Sequence, residues 1–115
     1  MAIVVVEELS KNDVAKAREE YSEYIKITAD ISRKIVAIGG EYHSDAEEIL
    51  IRDYKCKSEN IWGGGYNIKL KKFEANAVLN IKPQINDSLE IVDSEVRENF
   101  FKLAKDKFKN IEKFL

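Results

Sequence analysis

One histidine set in a run of acids is the sharpest chemical feature of this 115-residue chain. Glu41, His43, Asp45 and Glu47 are spaced by two, so an extended backbone would carry all four on one face, a set of oxygen and imidazole donors suited to a divalent metal. A helix beginning at Ser44 would instead put Asp45 and Glu48 in its first turn, where the macrodipole favours carboxylates for purely structural reasons. A lone His without a second His or Cys falls short of a dedicated zinc site. His43 could also act as a general base oriented by Glu41 or Asp45. A small metal-dependent hydrolase or phosphate-handling enzyme using Glu41, His43 and Asp45 is therefore one reading, and a structural histidine is the other.

A second group is Trp62, Gly63-Gly64-Gly65, Tyr66 and Asn67. Glycine lets a ligand approach the backbone and aromatic rings wall it in, while a strand bulge beside a core tryptophan explains the same residues without a ligand. Lys69, Lys71 and Lys72 beside Tyr66 and Phe73 form the one concentrated basic patch, suited either to single-stranded nucleic acid or to guarding a strand edge. Cys56 has cationic neighbours, Lys55 and Lys57, that could lower its pKa, but no sequence partner marks it as a nucleophile. No serine sits in a G-x-S-x-G elbow, and Gly39-Gly40 lacks the companions of a phosphate or dinucleotide loop.

These residues need elements to position them. Ile3 to Val6 reads as a buried strand, and Ser10 caps a helix with Val14, Ala17, Tyr21 and Tyr24 on its apolar side. Ile25, Ile27 and Ala29 alternate with polar residues, turn at Ser32-Arg33-Lys34 and return through Ile35 to Ile38, a hairpin closed by Gly39-Gly40. Residues 45–53 fit a short helix behind a Ser44 to Glu47 capping box, or a strand. Asn60 to Leu70 is strand-like with a bulge or bend at the glycines, and Phe73 to Ile81 is the most regular period-2 stretch, stopped by Pro83. Asp93 caps the longest helix, Ser94 to about Phe114. The expected fold is α+β: a two-layer sandwich in one domain spanning residues 1–115, with two or three helices against one face of a largely antiparallel sheet and the longest helix at the C-terminus.

Composition narrows function. With 19 basic against 21 acidic residues the net charge is -2, which supplies no global field for a polyanion and weighs against nucleic acid. The apolar start, Ile3 to Val6, is too short to span a membrane and has no basic leader, and a single cysteine agrees with a reducing cytoplasm. In the last helix Phe101, Ala104, Phe108, Ile111 and Leu115 follow a 3-4 spacing, the seam of helix against helix, so its distal turns are expected to form a homo-oligomer.

Three blocks occur together: Ala37-Ile38-Gly39-Gly40-Glu41-Tyr42-His43-Ser44-Asp45-Ala46-Glu47; Ile61-Trp62-Gly63 with Asn67; and Asn80-Ile81-Lys82-Pro83 followed by Asn86, Ser88, Ile91, Asp93 and Arg97. They resemble an uncharacterised family of short prokaryotic proteins, a domain of unknown function with an AIGGE-x-H-x-D-AE, LWG-x-N and NI-[RK]-P series. Gly64-Gly65 and the length of the last helix depart from that pattern. The resemblance implies a shared fold and a shared site but names no activity and no cofactor. The reading is a small cytoplasmic ligand-binding or protein-interaction module whose binding residues are Glu41, His43, Asp45, Trp62 and Asn67, with Glu41 and His43 expected to lie within reach of the Trp62 to Asn67 segment.

Overall fold

The alternation of Ile25, Ile27 and Ala29 with Tyr24, Lys26, Thr28 and Asp30 gives the central strand of the fold. In the computed structural model, which describes residues 3–115, this strand is flanked on both sides. In chain order the elements are β1 (Ile3–Val6), α1 (Lys11–Ala17), β2 (Tyr24–Asp30), β3 (Ile35–Gly39), α2 (His43–Tyr54), β4 (Ile61–Asn67), β5 (Lys72–Glu74) and α3 (Ser94–Lys107), with single 3-10 turns at Ser58–Asn60, Val78–Asn80 and Ile111–Phe114. The five strands pair antiparallel in the order β1-β3-β2-β4-β5. The α+β class, the antiparallel sheet and a longest helix at the C-terminus are as the sequence predicts.

The helices divide between the two faces rather than sharing one. Val36, Ile38, Ile25, Ile27, Trp62 and Tyr66 point to the face covered by α1 and α3, where Val14, Phe100, Ala104 and Phe108 complete the main core. Ala37 and Ile61 point the other way and meet Ala46 and Leu50 of α2 with Cys56. The second cluster is smaller, so α2 covers its face only in part and leaves room beside it.

Local chemistry explains the boundaries. Ser10 caps α1 with the reciprocal Ser10–Asp13 bonds of a capping box, but that helix ends at Ala17, leaving Tyr21 in a loop and Tyr24 on β2. Asp93 Oδ1 accepts from the Glu95 and Val96 N–H groups, as expected of the α3 cap. Gly39 and Gly40 have φ of 87° and 90°, a left-handed geometry that side chains resist, and they turn the chain from β3 into α2. Residues 43–54 are helical, and the helix begins two residues earlier than a Ser44 cap requires, behind an N-cap, Tyr42, that makes no side-chain bond.

Two long expectations shorten. The period-2 stretch from Phe73 forms a strand only to Glu74, because the Asn80 carboxamide takes the place that a continuing strand would occupy. Its Oδ1 accepts from Gly63 N–H at 2.8 Å and its Nδ2 donates to the Gly63 carbonyl at 2.9 Å and the Leu89 carbonyl at 3.0 Å. Asn86 Nδ2 then ties the loop together through the carbonyls of Asn80, Ser88 and Glu90. The last helix ends at Lys107, and a turn folds Phe108 and Ile111 into the main core, 1% and 5% exposed. The apolar seam expected to recruit a second subunit is thus largely consumed within the chain. Among the described residues no helix is long and apolar enough to cross a membrane.

Candidate functional site

The three glycines of β4 do not form a bulge. Each residue from Ile61 to Asn67 pairs in register with β2, and the glycines are needed because neighbours lie directly on the strand. A Cβ on Gly65 would stand 2.2 Å from the Tyr24 ring, and one on Gly64 would stand 2.0 Å from the Glu74 carbonyl oxygen. A Cβ on Gly63 would meet Ala77 at 2.7 Å and the His43 ring at 3.0 Å. Gly63 and Gly65 thus form a thin floor on the α2 face, and Gly64 makes room for Phe100 on the other.

Tyr24, His43 and Ala77, which lie on that floor, also line a cleft of about 600 Å³. The sheet supplies Tyr24 and Lys26, the start of α2 supplies Tyr42, His43, Ser44 and Glu47, and the loop after β5 supplies Asn76, Val78, Leu79 and Leu89. Lys26 is here because β2 alternates: its even-numbered residues face α2 while Ile25, Ile27 and Ala29 fill the main core. The Lys26 ammonium lies 5.1 Å from the Tyr21 ring centroid and 5.9 Å from that of Tyr24, and it enters no ion pair among the described residues. Burial lowers its pKa. The Tyr24 hydroxyl is held by Glu74; burial first, then that carboxylate, raises its pKa, so it stays a protonated phenol.

His43 has a defined protonation state. Burial, seconded by the Lys26 charge, pulls its pKa down to about 4, against the opposing effect of the Gly64 hydrogen bond. Nε2 lies 2.7 Å from the Gly64 carbonyl oxygen. A carbonyl only accepts, so the neutral ring must carry its proton on Nε2, and Nδ1 is left as a lone-pair acceptor with no hydrogen-bond partner among the described residues. One helical turn on, Glu47 Oε2 accepts from the Ser58 hydroxyl at 3.1 Å.

Of the expected binding residues Glu41, His43, Asp45, Trp62 and Asn67, His43 alone lines this cleft, joined there by Glu47 of the same acidic run, and it does reach the Trp62 to Asn67 segment, through Gly64. Glu41 is exposed and offers its backbone carbonyl to the Tyr21 hydroxyl at 3.3 Å. Asp45 is in the first turn of α2, outside the cleft lining. Because the chain is helical from His43, the period-2 face uniting Glu41, His43, Asp45 and Glu47 does not form, and among the described residues no group of three or more His, Cys, Asp or Glu converges as a metal site. Trp62 is 4% exposed and belongs to the core on the opposite face of the sheet. Asn67 lines a neighbouring cavity of about 630 Å³ that shares Tyr24 with the cleft. The aromatic walls are Tyr24 and Tyr42, not Trp62 and Tyr66.

Other candidates resolve as structure. Phe73 packs on Tyr66 at 4.8 Å and on Phe108 at 5.7 Å, so these rings are not offered to bases, and Lys71 pairs with Glu112 at 3.2 Å. Burial, and then the neighbouring Asp30, push the Cys56 thiol up to about 11, the reverse of an activated nucleophile. Asp30 Oδ1 accepts from the Ser32 and Arg33 N–H groups at 2.9 Å each, closing the β2–β3 turn.

Tyr24, Lys26, Asn76 and the 77–89 loop were missed as site residues. A lysine between two isoleucines of a period-2 strand was the available signal, since it must face away from the core they build. Residues 3–106 match the family described as a protein of unknown function (DUF5674). No curated protein and no solved structure matches the chain.

Proposed function

The chain belongs to the DUF5674 family of proteins of unknown function, and from the geometry of the cleft we propose that it is a binding module for a small anionic molecule. The observation that carries this reading is Lys26: a cation on the wall of a roomy cleft, braced by two tyrosine rings, with no carboxylate paired to it among the described residues. Few charged groups are part-buried without a partner, and a ligand carboxylate or phosphate would complete the site. Val78, Leu79 and Leu89 supply the apolar wall that small-molecule sites combine with a few placed polar groups. The hydrolase reading has no comparable support, because Glu41 and Asp45 do not join His43 in the cleft.

Differential scanning fluorimetry with inorganic phosphate and aliphatic carboxylates tests the proposal. Stabilisation that is lost in Lys26→Met, with the unliganded melting curve retained, is the expected result. Silence across the panel, or equal stabilisation of Lys26→Met, rejects it.

A further inference from the structure

We infer that the ligand is a zwitterion with an apolar body: an apolar amino acid, or a short peptide of such residues. The inference rests on the anion-binding reading of the cleft and adds what its α2 wall demands.

That wall is one face of α2. His43 and Glu47 are four residues apart, so their side chains are neighbours, with Cβ atoms about 5–6 Å apart on an α-helix. His43 cannot offer a proton to the cleft, because its single N–H is spent on the Gly64 carbonyl and the ring stays neutral at physiological pH. Its free Nδ1 only accepts. Glu47 keeps one carboxylate oxygen beyond its bond from Ser58 and forms no ion pair among the described residues. Lys82, whose pKa responds to the Glu47 charge, sends its ammonium to the Ser58 carbonyl at 2.8 Å instead. An acceptor and an anion side by side call for a group that is both donor and cation.

The cleft therefore presents a cation at Lys26, an acceptor–anion pair at His43 and Glu47, and an apolar wall at Val78, Leu79 and Leu89. A simple carboxylate or phosphate would satisfy the first and leave the second unmatched or repelled. An ammonium and a carboxylate on one small molecule, with a hydrocarbon side chain between the walls, satisfies all three. About 600 Å³ holds one amino acid with room to spare and accommodates a dipeptide.

Isothermal titration with leucine, leucylleucine, N-acetylleucine and leucinamide tests this, and leucine against leucylleucine distinguishes the free amino acid from the peptide. Leucine or leucylleucine is expected to bind at least tenfold more tightly than N-acetylleucine, which lacks the ammonium, and than leucinamide, which lacks the carboxylate. Glu47→Gln should weaken the zwitterion at least tenfold and leave N-acetylleucine unchanged, whereas Lys26→Met should weaken both. If N-acetylleucine binds as well as leucine, or if carboxylates bind while both zwitterions do not, the zwitterion inference fails and anion binding stands. If no carboxylate of any kind binds, both fail.

Discussion

Acidifying the protein should expose His43 as a specific liability. The folded chain holds this imidazole neutral down to about pH 4, whereas an unfolded chain protonates it near 6.5. Between those limits the unfolded state binds more protons, so stability rises with pH: the contribution is complete above about pH 6.5 and is lost as pH falls toward 4. At 1.36 kcal/mol per pH unit the whole interval corresponds to roughly 3 kcal/mol, a large share of the stability of a domain this size. Other groups titrate in the same range, so the informative quantity is a difference against His43→Gln, which can offer a carboxamide N–H toward Gly64 and has no proton to gain. Urea unfolding of both proteins from pH 7.5 to 4 gives it directly. The wild type should lose roughly 2–3 kcal/mol more than His43→Gln over that range, with parallel profiles above pH 7. Profiles that stay parallel down to pH 4 would refute both the buried neutral imidazole and the tautomer assigned from it.

Three further perturbations follow from the packing. Gly64→Ala places a methyl 2.0 Å from the Glu74 carbonyl oxygen, a backbone atom that cannot step aside, so it should cost on the order of 3 kcal/mol or more in urea unfolding and loosen β5 in amide exchange. Asn80→Asp keeps the shape but removes the donor shared by the Gly63 and Leu89 carbonyls and buries a charge beside them; a loss of about 2–4 kcal/mol at neutral pH, partly recovered on acidification, is expected. Phe108→Ala should destabilise by about 3–5 kcal/mol as a core deletion while leaving the mass measured by light scattering unchanged; a variant that changes oligomeric state without losing stability would return this side chain to an intersubunit role.

The sequence was most legible where one local rule decided the outcome. Period 2 in β2, the Ser10 and Asp93 caps and the paired glycines after Ile38 each depend on a few neighbouring residues, and each was read correctly. It was least legible where a distant side chain overrode the local pattern. Phe73 to Ile81 alternates as a strand does, yet Asn80 replaces the ladder with its own carboxamide, and nothing within that segment announces that its partner is Gly63. The glycine triplet suggests a bulge or bend from sequence because the side-chain collisions that require it come from Tyr24, His43, Ala77 and Phe100, outside the segment. The same holds for the cleft. His43 stood out as the only imidazole, but Lys26 gains its meaning only when β2, α2 and the 77–89 loop meet, and Trp62 loses its candidacy only when the parity of β4 turns it to the opposite face. Glu41 and Asp45 were grouped with His43 by a spacing that holds for extended chain and not for the helix that forms.

Long-range proton–nitrogen NMR of the His43 ring, recorded at neutral pH during titration with leucine, tests the central claim most directly. The account predicts a neutral ring protonated at Nε2 in the free protein, with ligand shifting the Nδ1 resonance together with the Lys26 side-chain signals. A ring protonated at Nδ1, or ligand shifts confined to residues outside the cleft, would contradict it.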